Sequence, residues 1–422
     1  MIQSHTLSNG LVILMERLSH LRSASVGLFV KAGSIMESEQ ENGLSHFIEH
    51  MAFKGTQTLS AKQLALEIDL IGGNVNAATS KVCTSFYART TDKDLPRAVQ
   101  LLADLVVNAK YEQADFEKER GVILEEIAME ADTPEDLVFN LLHRGLYGNQ
   151  TLSQTILGSK EAISGYDLEA LHSYRANYYQ PGNAVFAVAG HFDPMKLIAL
   201  AEEAFSGWQG KVSADCPENL VLPGEVTLTQ EKDVEQAHIC LSFKGMHSLH
   251  DDRHALIALS TALGGGVSSR LFQRVREDQG LVYSIYSSPS FYPHCGEFTV
   301  YAACAPGKIR QVMEIVRKEI RDVIDNGLGE TEFQQTMAQL RTGFVLGMES
   351  AYQRMNSMGI NQLLLGRVVE PRETLALMRR VRLRDVNRVA GEILNQETKT
   401  AIVGKGIEKH LKKKAGAKHG QA

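Results

Sequence analysis

Two histidines four residues apart, His46 and His50, are the residues of this chain best spaced to do chemistry. They lie in Gly43-Leu44-Ser45-His46-Phe47-Ile48-Glu49-His50-Met51-Ala52-Phe53-Lys54-Gly55-Thr56, where no Gly or Pro interrupts residues 44–54. The pattern predicts a helix that Asn42 or Gly43 can start and Gly55 ends. On a helix, positions four apart share a face, so both imidazoles project together and can hold one metal ion. Glu49 lies three residues after His46 and next to His50. A carboxylate there can reach a water beside the metal rather than the metal itself. The motif alone also arises by coincidence on ordinary helices.

Two imidazoles do not complete a site, because zinc usually takes three protein ligands and leaves a fourth position for water. Residues 113–131 predict a second helix, with Phe116, Val122, Ile123, Ile127 and Met129 at the apolar positions. Glu119 and Glu126 are seven apart on it, two turns along one stripe. Such a stripe is either a polar surface turned inward for a task or an ordinary solvated acidic face.

His46-x-x-Glu49-His50, followed by Glu126 in Val-Ile-Leu-Glu-Glu-Ile, resembles the inverted zinc motif of the pitrilysin-type (M16, subfamily M16B) metallopeptidases. This group includes the mitochondrial processing peptidase beta subunit and bacterial homologues. The flanking Glu41-Asn42-Gly43-Leu44 and Phe53-Lys54-Gly55-Thr56 resemble the family's surroundings, and the likeness runs through nearly the whole chain. It implies one Zn2+ per chain on His46, His50 and Glu126, with Glu49 as general base and Glu119 orienting a ligand. It also implies an α+β fold of two homologous domains, each a mixed sheet plus helices, of the LuxS/MPP-like metallohydrolase type.

Composition bounds the setting. A chain of 422 residues is too long for one ordinary core, so two or more domains are expected. Hydrophobic residues at 44% and charged residues at 22% are those of a globular protein. The net charge of −6, with no basic face interleaved with aromatics, argues against nucleic acid. Five cysteines at wide spacing, without Cys-x-x-Cys, point to reduced thiols rather than disulfides or a cysteine zinc site. No secretory or transit pattern opens the chain, and no run of 18 apolar residues spans a membrane. The expectation is a cytoplasmic protein without a membrane partner.

The elements that must position these residues follow in order. Strands are expected at 4–16 and 23–32, separated from their neighbours by turns such as Asn9-Gly10. Helices are expected at 60–71, 94–109, 113–131, 134–147, 166–178 and 194–206, with a buried strand at 184–190. The second half repeats this order, with strand 237–243, helices 252–263 and 266–278, and strands 282–290 and 296–303. Helices 307–325, 329–346, 350–364 and 371–394 and strand 398–404 complete it. A period near 210 residues suggests a duplicated unit. The expected domains are 1–210, which carries the metal motif, and 223–406, which lacks it. Residues 211–222 are the linker, and 407–422 a basic, disordered tail.

Gly72-Gly73-Asn74-Val75-Asn76-Ala77-Ala78-Thr79-Ser80 reads as a turn before strand 82–88. By resemblance it is the edge strand on which a substrate peptide pairs, at Asn76 and Ala77. A plain hairpin is the other reading. In the second half the resemblance assigns substrate-binding roles to Arg276 and Tyr283, whose side chains can donate hydrogen bonds to a carbonyl. Otherwise Arg276 is a surface ion-pair partner of Glu277 or Asp278, and Tyr283 a half-buried strand residue. Glu130, Asp132, Glu135 and Asp136 follow the third ligand closely and would favour basic residues near the cut. The implied function is a zinc endopeptidase acting on peptides inside a homodimeric chamber. The alternative is a non-catalytic or partner-dependent subunit of a heterodimeric processing peptidase.

Overall fold

A computed structural model describes residues 2–210 and 215–411. The first part of the chain forms strands β1 (Gln3–Thr6), β2 (Val12–Arg17) and β3 (Ser23–Val30), then helices α1 (Leu44–Ala52) and α2 (Ala61–Ile71). Strands β4 (Asn74–Thr79) and β5 (Thr84–Thr91) follow. After them come helices α3 (Leu95–Val107), α4 (Gln113–Asp132), α5 (Pro134–Tyr147), α6 (Lys160–Gly165) and α7 (Leu168–Tyr178). Strand β6 (Ala184–Gly190) and helix α8 (Pro194–Ala204) close this part.

The later part starts with β7 (Val226–Glu231), β8 (Ala237–Lys244), α9 (Arg253–Gly264), β9 (Val282–Phe291) and β10 (Gly296–Cys304). Helices α10 (Ile309–Asn326), α11 (Glu330–Gly347), α12 (Ala351–Leu365), α13 (Pro371–Arg380) and α14 (Leu383–Leu394) follow. Strand β11 (Lys399–Gly404) and helix α15 (Ile407–Leu411) end the described chain.

The two sheets share one topology. The first has the order β1-β2-β6-β3-β5-β4 and the second β7-β11-β8-β10-β9. In the first, β2 and β6 are parallel and the remaining neighbours antiparallel. In the second, β7 and β11 are parallel and the rest antiparallel. Corresponding strands begin 214 residues apart for β3 and β8 (237 − 23) and 215 apart for β6 and β11 (399 − 184). The expected period is therefore present, and β1 is an addition to the first copy.

The compact units are not contiguous halves of the chain. One comprises Met1–Met129, Gln150–Glu218 and Arg341–Ala376; the other Glu130–Asn149, Asn219–Leu340 and Leu377–Ala422. In the first unit α12 lies across β3, β6 and β2; in the second α5 lies across β11, β8 and β7. Each copy thus contributes one helix to the other's sheet. The packing of α12 is close: a Cβ on Gly359 would stand 2.2 Å from the Phe29 ring, so only glycine lets the helix approach. With α12 on one face and α1, α3 and the other helices on the opposite one, β6 is covered twice. Its sequence, Ala-Val-Phe-Ala-Val-Ala-Gly, is accordingly apolar throughout and wholly buried.

Several local expectations differ from the structure. Helix α1 stops at Ala52, before Gly55, because Phe53 leaves helical geometry. Residues 72–80 are not a turn alone; they hold β4 at the edge of the first sheet, as the resemblance implied. The expected helix at 266–278 is a π-helical turn over Phe272–Glu277, and that at 371–394 breaks at Val381 and Arg382. Val122 and Met129, taken as apolar contacts of α4, are exposed. The expected tail begins with ordered structure: Gly406 and Ile407 donate their N–H groups to Glu231, and Ile407 is buried. The rest of the tail, 412–422, and linker positions 211–214 lie outside the described residues. Among the described residues no helix is long and apolar enough to cross a membrane.

Candidate metal centre

Helix α1 has two working faces. Leu44, Phe47, Ile48 and Met51 are buried in the first unit's core, and His46, Glu49 and His50 are only partly covered. Its N-cap is Gly43, with φ of 97°, a left-handed conformation that glycine adopts without strain. Phe47 stacks on Phe116 of α4 with the rings nearly parallel and 4.8 Å apart. That contact fixes α4 against α1. From Phe116 the stripe continues at three- and four-residue steps through Glu119 and Ile123 to Glu126, so the acids face α1.

Three acceptors converge there. Glu126 Oε2 is 3.7 Å from His46 Nε2 and 3.4 Å from His50 Nε2. The two rings are 4.5 Å apart. Burial, with His50 alongside, pushes the pKa of His46 down to about 3, so the imidazole is neutral at physiological pH. Its Nδ1 is buried and has no partner among the described residues. His50 Nδ1 is 3.1 Å from Glu119 Oε2 and donates to that carboxylate, and Nε2 on the other side of the ring faces Glu126. With both Nε2 lone pairs turned inward these atoms would repel, and a cation among them would remove the repulsion.

Ligands of a tetrahedral ion with bonds of about 2.1 Å lie roughly 3.4 Å apart, close to the separations seen. The two-nitrogen, one-oxygen donor set also suits a borderline-soft divalent metal. The residues present therefore fit such an ion. Among the described residues, this is the one group of three so placed.

Each of these groups is held by a further partner. Glu119, 6% exposed, accepts from Lys54 at 2.7 Å as well as from His50. Glu49 receives the Thr79 hydroxyl on Oε2 at 2.5 Å. Burial pushes the Glu49 carboxyl upward, while the Thr79 hydrogen bond and the charge of His50 oppose it. Thr79 is the last residue of β4, the free edge of the first sheet. The base candidate and the edge strand are thus joined directly. Thr79 and Lys54 carry no spacing signal and escaped the sequence reading. Only the known topology puts Thr79 beside α1.

The other expected residues stand as follows. Asn76 and Ala77 lie in the middle of β4, where Asn76 Oδ1 accepts the Ala77 N–H at 2.9 Å. Arg276 and Tyr283 belong to the second unit. The Arg276 guanidinium sits 4.7 Å from the Phe272 ring centre and 5.3 Å from that of Tyr283, which is 75% exposed. Among the described residues Arg276 forms neither of the expected ion pairs, and Asp278 is bound by Arg274 instead. In the acidic run, Glu130 accepts from Asn140, Asp132 from Lys232 and Glu135 from Tyr286.

The family profile described as "Insulinase (Peptidase family M16)" matches residues 12–160, and that described as "Peptidase M16 inactive domain" matches 166–340. An uncharacterised zinc protease of Bacillus subtilis is 36% identical over 403 residues, covering 96% of this chain and 98% of that one. The chain belongs to peptidase family M16. An uncharacterised zinc protease of Mycobacterium leprae is 37% identical, covering 94% of this chain and 91% of its own. A protease structure from Helicobacter pylori superposes with a TM-score of 0.89 at 22% identity, covering 96% of this chain and 99% of that chain. An M16 inactive-domain structure from Pseudomonas fluorescens does so with 0.88 at 18%, covering 96% and 98%. At those identities the superpositions speak to the fold, which is the two-domain M16 fold expected from the motifs.

Proposed function

We propose that this M16 protein is a zinc-dependent endopeptidase that cuts peptides or unfolded segments. The carrying observation is the convergence of His46, His50 and Glu126 beside a carboxylate, Glu49, that is tied to a free sheet edge through Thr79. The zinc-protease names of the relatives support the choice of metal. One zinc per chain would be held by the two imidazoles and Glu126. When bound, zinc supplies Lewis acidity that polarises a carbonyl and makes water a better nucleophile.

The remaining chemistry belongs to the chain. Glu49 takes the proton of the attacking water and delivers it to the leaving amine. The Thr79 hydroxyl occupies Oε2, so Oε1 is the oxygen left to accept that proton. A buried carboxyl with raised proton affinity suits a base that must act as an acid in the same cycle. Glu119 holds His50 in one tautomer and orientation, and Lys54 steadies Glu119. The substrate pairs with β4 as an added strand, recognised through its backbone. That pairing requires Asn76 to release the Ala77 N–H. Arg276 and Tyr283 are assigned substrate-binding roles on the family resemblance alone. The working form is a cytoplasmic homodimer enclosing its substrate, a preference for basic residues near the cut being part of the reading.

The test is zinc content and cleavage of a quenched basic peptide, for wild type and Glu49→Gln side by side. Both chains should bind about one zinc, and only wild type should cleave, the variant losing about 10²–10⁴-fold. A wild type that binds zinc and cleaves no peptide of any length would favour a partner-dependent subunit. Size-exclusion chromatography of the protein expressed alone checks the homodimer.

A further inference from the structure

The start of α1 carries a buried carboxylate that the chemistry above does not use. Glu37 is 0% exposed and lies six residues before the N-cap Gly43. Its Oε2 accepts the Gly43 N–H at 2.7 Å and the Asn42 side-chain amide at 3.2 Å. Its Oε1 accepts the Ser45 N–H at 2.8 Å. Three donors therefore converge on two oxygens. A carboxyl proton, or the NH2 of a glutamine, would set donor against donor. Burial pushes the Glu37 carboxyl up, and these same hydrogen bonds pull against it. The species that satisfies every partner is the carboxylate.

A buried charge is costly unless something compensates it. Here the compensation comes from the helix. The first N–H groups of a helix lack internal partners, and their end carries roughly half a positive charge. Gly43, as N-cap, has no side chain to satisfy them. Glu37 does so from outside the helix. The same turn is tied down on other sides. The Asn42 side chain donates to Thr155 O at 2.9 Å, and Asn42 O accepts from the Tyr166 hydroxyl at 3.0 Å. The Ser45 hydroxyl pairs with the Tyr174 hydroxyl at 2.8 Å.

His46 follows Ser45 directly, so this turn bears on the metal centre in two ways. A rotation of α1 that freed its first turn would carry His46 and His50 away from Glu126. An uncompensated positive helix end beside His46 would also oppose a dication. We propose that Glu37 is a positioning residue of the metal centre, which locks the first turn of α1, cancels the helix's positive end and so sets the affinity for zinc. The inference rests on the zinc reading given above.

Zinc affinity is measured by competition with a chromophoric chelator for wild type, Glu37→Gln, Glu37→Asp and, as a control, Glu297→Gln. Glu297 is a buried carboxylate of the second unit. Thermal unfolding and circular dichroism are recorded for each chain. Glu37→Gln should remain folded and bind zinc about 10–100-fold more weakly, the range found when partners of metal ligands are removed. The loss should persist in high salt, since a buried charge is little screened. Glu37→Asp keeps the charge on a shorter arm and should recover part of the affinity. Glu297→Gln should lose thermal stability and keep its zinc affinity.

Unchanged zinc affinity in folded Glu37→Gln overturns the proposal. So does an equal loss in Glu297→Gln, which would reduce the effect to general destabilisation. If Glu37→Gln does not fold, Glu37→Asp decides, weakened binding supporting the proposal and unchanged binding overturning it. A wild type that takes up no zinc overturns the zinc reading and this proposal together. Tight wild-type binding with no change in the variants overturns the role of Glu37 alone.

Discussion

Helices α1 and α9 occupy the same place in two copies of one topology, each following the strand that starts 214 residues from its counterpart. Their contents are opposite. Helix α1 presents His46, Glu49 and His50, and each is near a second polar group: Glu126, Thr79 and Glu119. Helix α9 buries Ala255, Leu256, Ala258, Leu259, Ala262 and Leu263. Its one histidine, His254, has both ring nitrogens buried with no partner among the described residues, and burial with the neighbouring Arg253 pushes its pKa down to about 4. The following helices differ in the same way. On α4 the buried stripe holds Glu119, and on α11 it is Phe333, Thr336 and Met337. The second copy keeps the topology with none of the ligands, so the fold does not need them. On the zinc reading proposed above, their presence in the first copy answers to chemistry rather than to stability.

That contrast breaks if replacing the ligands unfolds the first unit. The largest effect should come from taking the metal away. A chelator should abolish peptide cleavage, and added zinc should restore it, with thermal unfolding checked on the metal-free chain. Replacing Glu126 by Gln should likewise remove most zinc while the circular dichroism stays that of the wild type. Next in size is Glu119→Gln. It leaves the three ligands in place and removes the acceptor that fixes His50, so zinc affinity should fall about 10–100-fold. Titration of the zinc-free protein checks this. A variant that bound zinc as tightly as wild type would make Glu119 merely the partner of Lys54.

The parts of this arrangement that sequence reveals are those within one helix turn or two. His46 and His50 are four apart and Glu119 and Glu126 seven apart, so their faces follow from helix geometry alone. The period near 210 was equally legible, because strand and helix patterns recur in order. What could not be read is whatever depends on which elements meet. Nothing in the periodicity of α5 or α12 says that each covers the other copy's sheet. Glu37 and Thr79 act across 8 and 30 residues on helix α1, and no spacing in the sequence pairs either with its partner. The π-helical turn at Phe272–Glu277 has the composition of an ordinary helix, so its hydrogen-bond pattern was hidden.

The second unit has a buried polar cluster of its own, which sharpens the comparison. Glu297 accepts the Tyr147 hydroxyl at 2.6 Å and lies 3.1 Å from His143 Nε2, joining α5 to β10. Burial alone would push its pKa up. The charge and hydrogen bond of His143, with the hydroxyls of Tyr147 and Ser290, hold it below the ordinary value. A lowered carboxylate contributes stability above its unfolded pKa and loses it as pH falls through the folded one. Urea unfolding should therefore show wild type weakening on acidification below about pH 4.3, the ordinary glutamate value. Glu297→Gln should be about 1.5–3 kcal/mol less stable at neutral pH, with a shallower acid dependence. Zinc content should not change, which separates a polar cluster kept for the fold from one kept for chemistry.

The smallest effect concerns the acids at the end of α4 and the start of α5. A strong preference for basic residues would need carboxylates that are free to meet a guanidinium. Glu130, Asp132 and Glu135 are already engaged by Asn140, Lys232 and Tyr286. Asp136 is exposed, and slight burial with the like charge of Glu135 raises its pKa, which marks a local excess of negative charge. An exposed ion pair is worth about 0–1 kcal/mol, so matched peptides with Arg or Ala near the cut should differ by roughly fivefold or less in kcat/KM. That difference should shrink in high salt and in Asp136→Asn. A preference of a hundredfold, insensitive to salt, would instead require a desolvated partner for the basic side chain, and would move specificity from this acidic segment to a buried pocket.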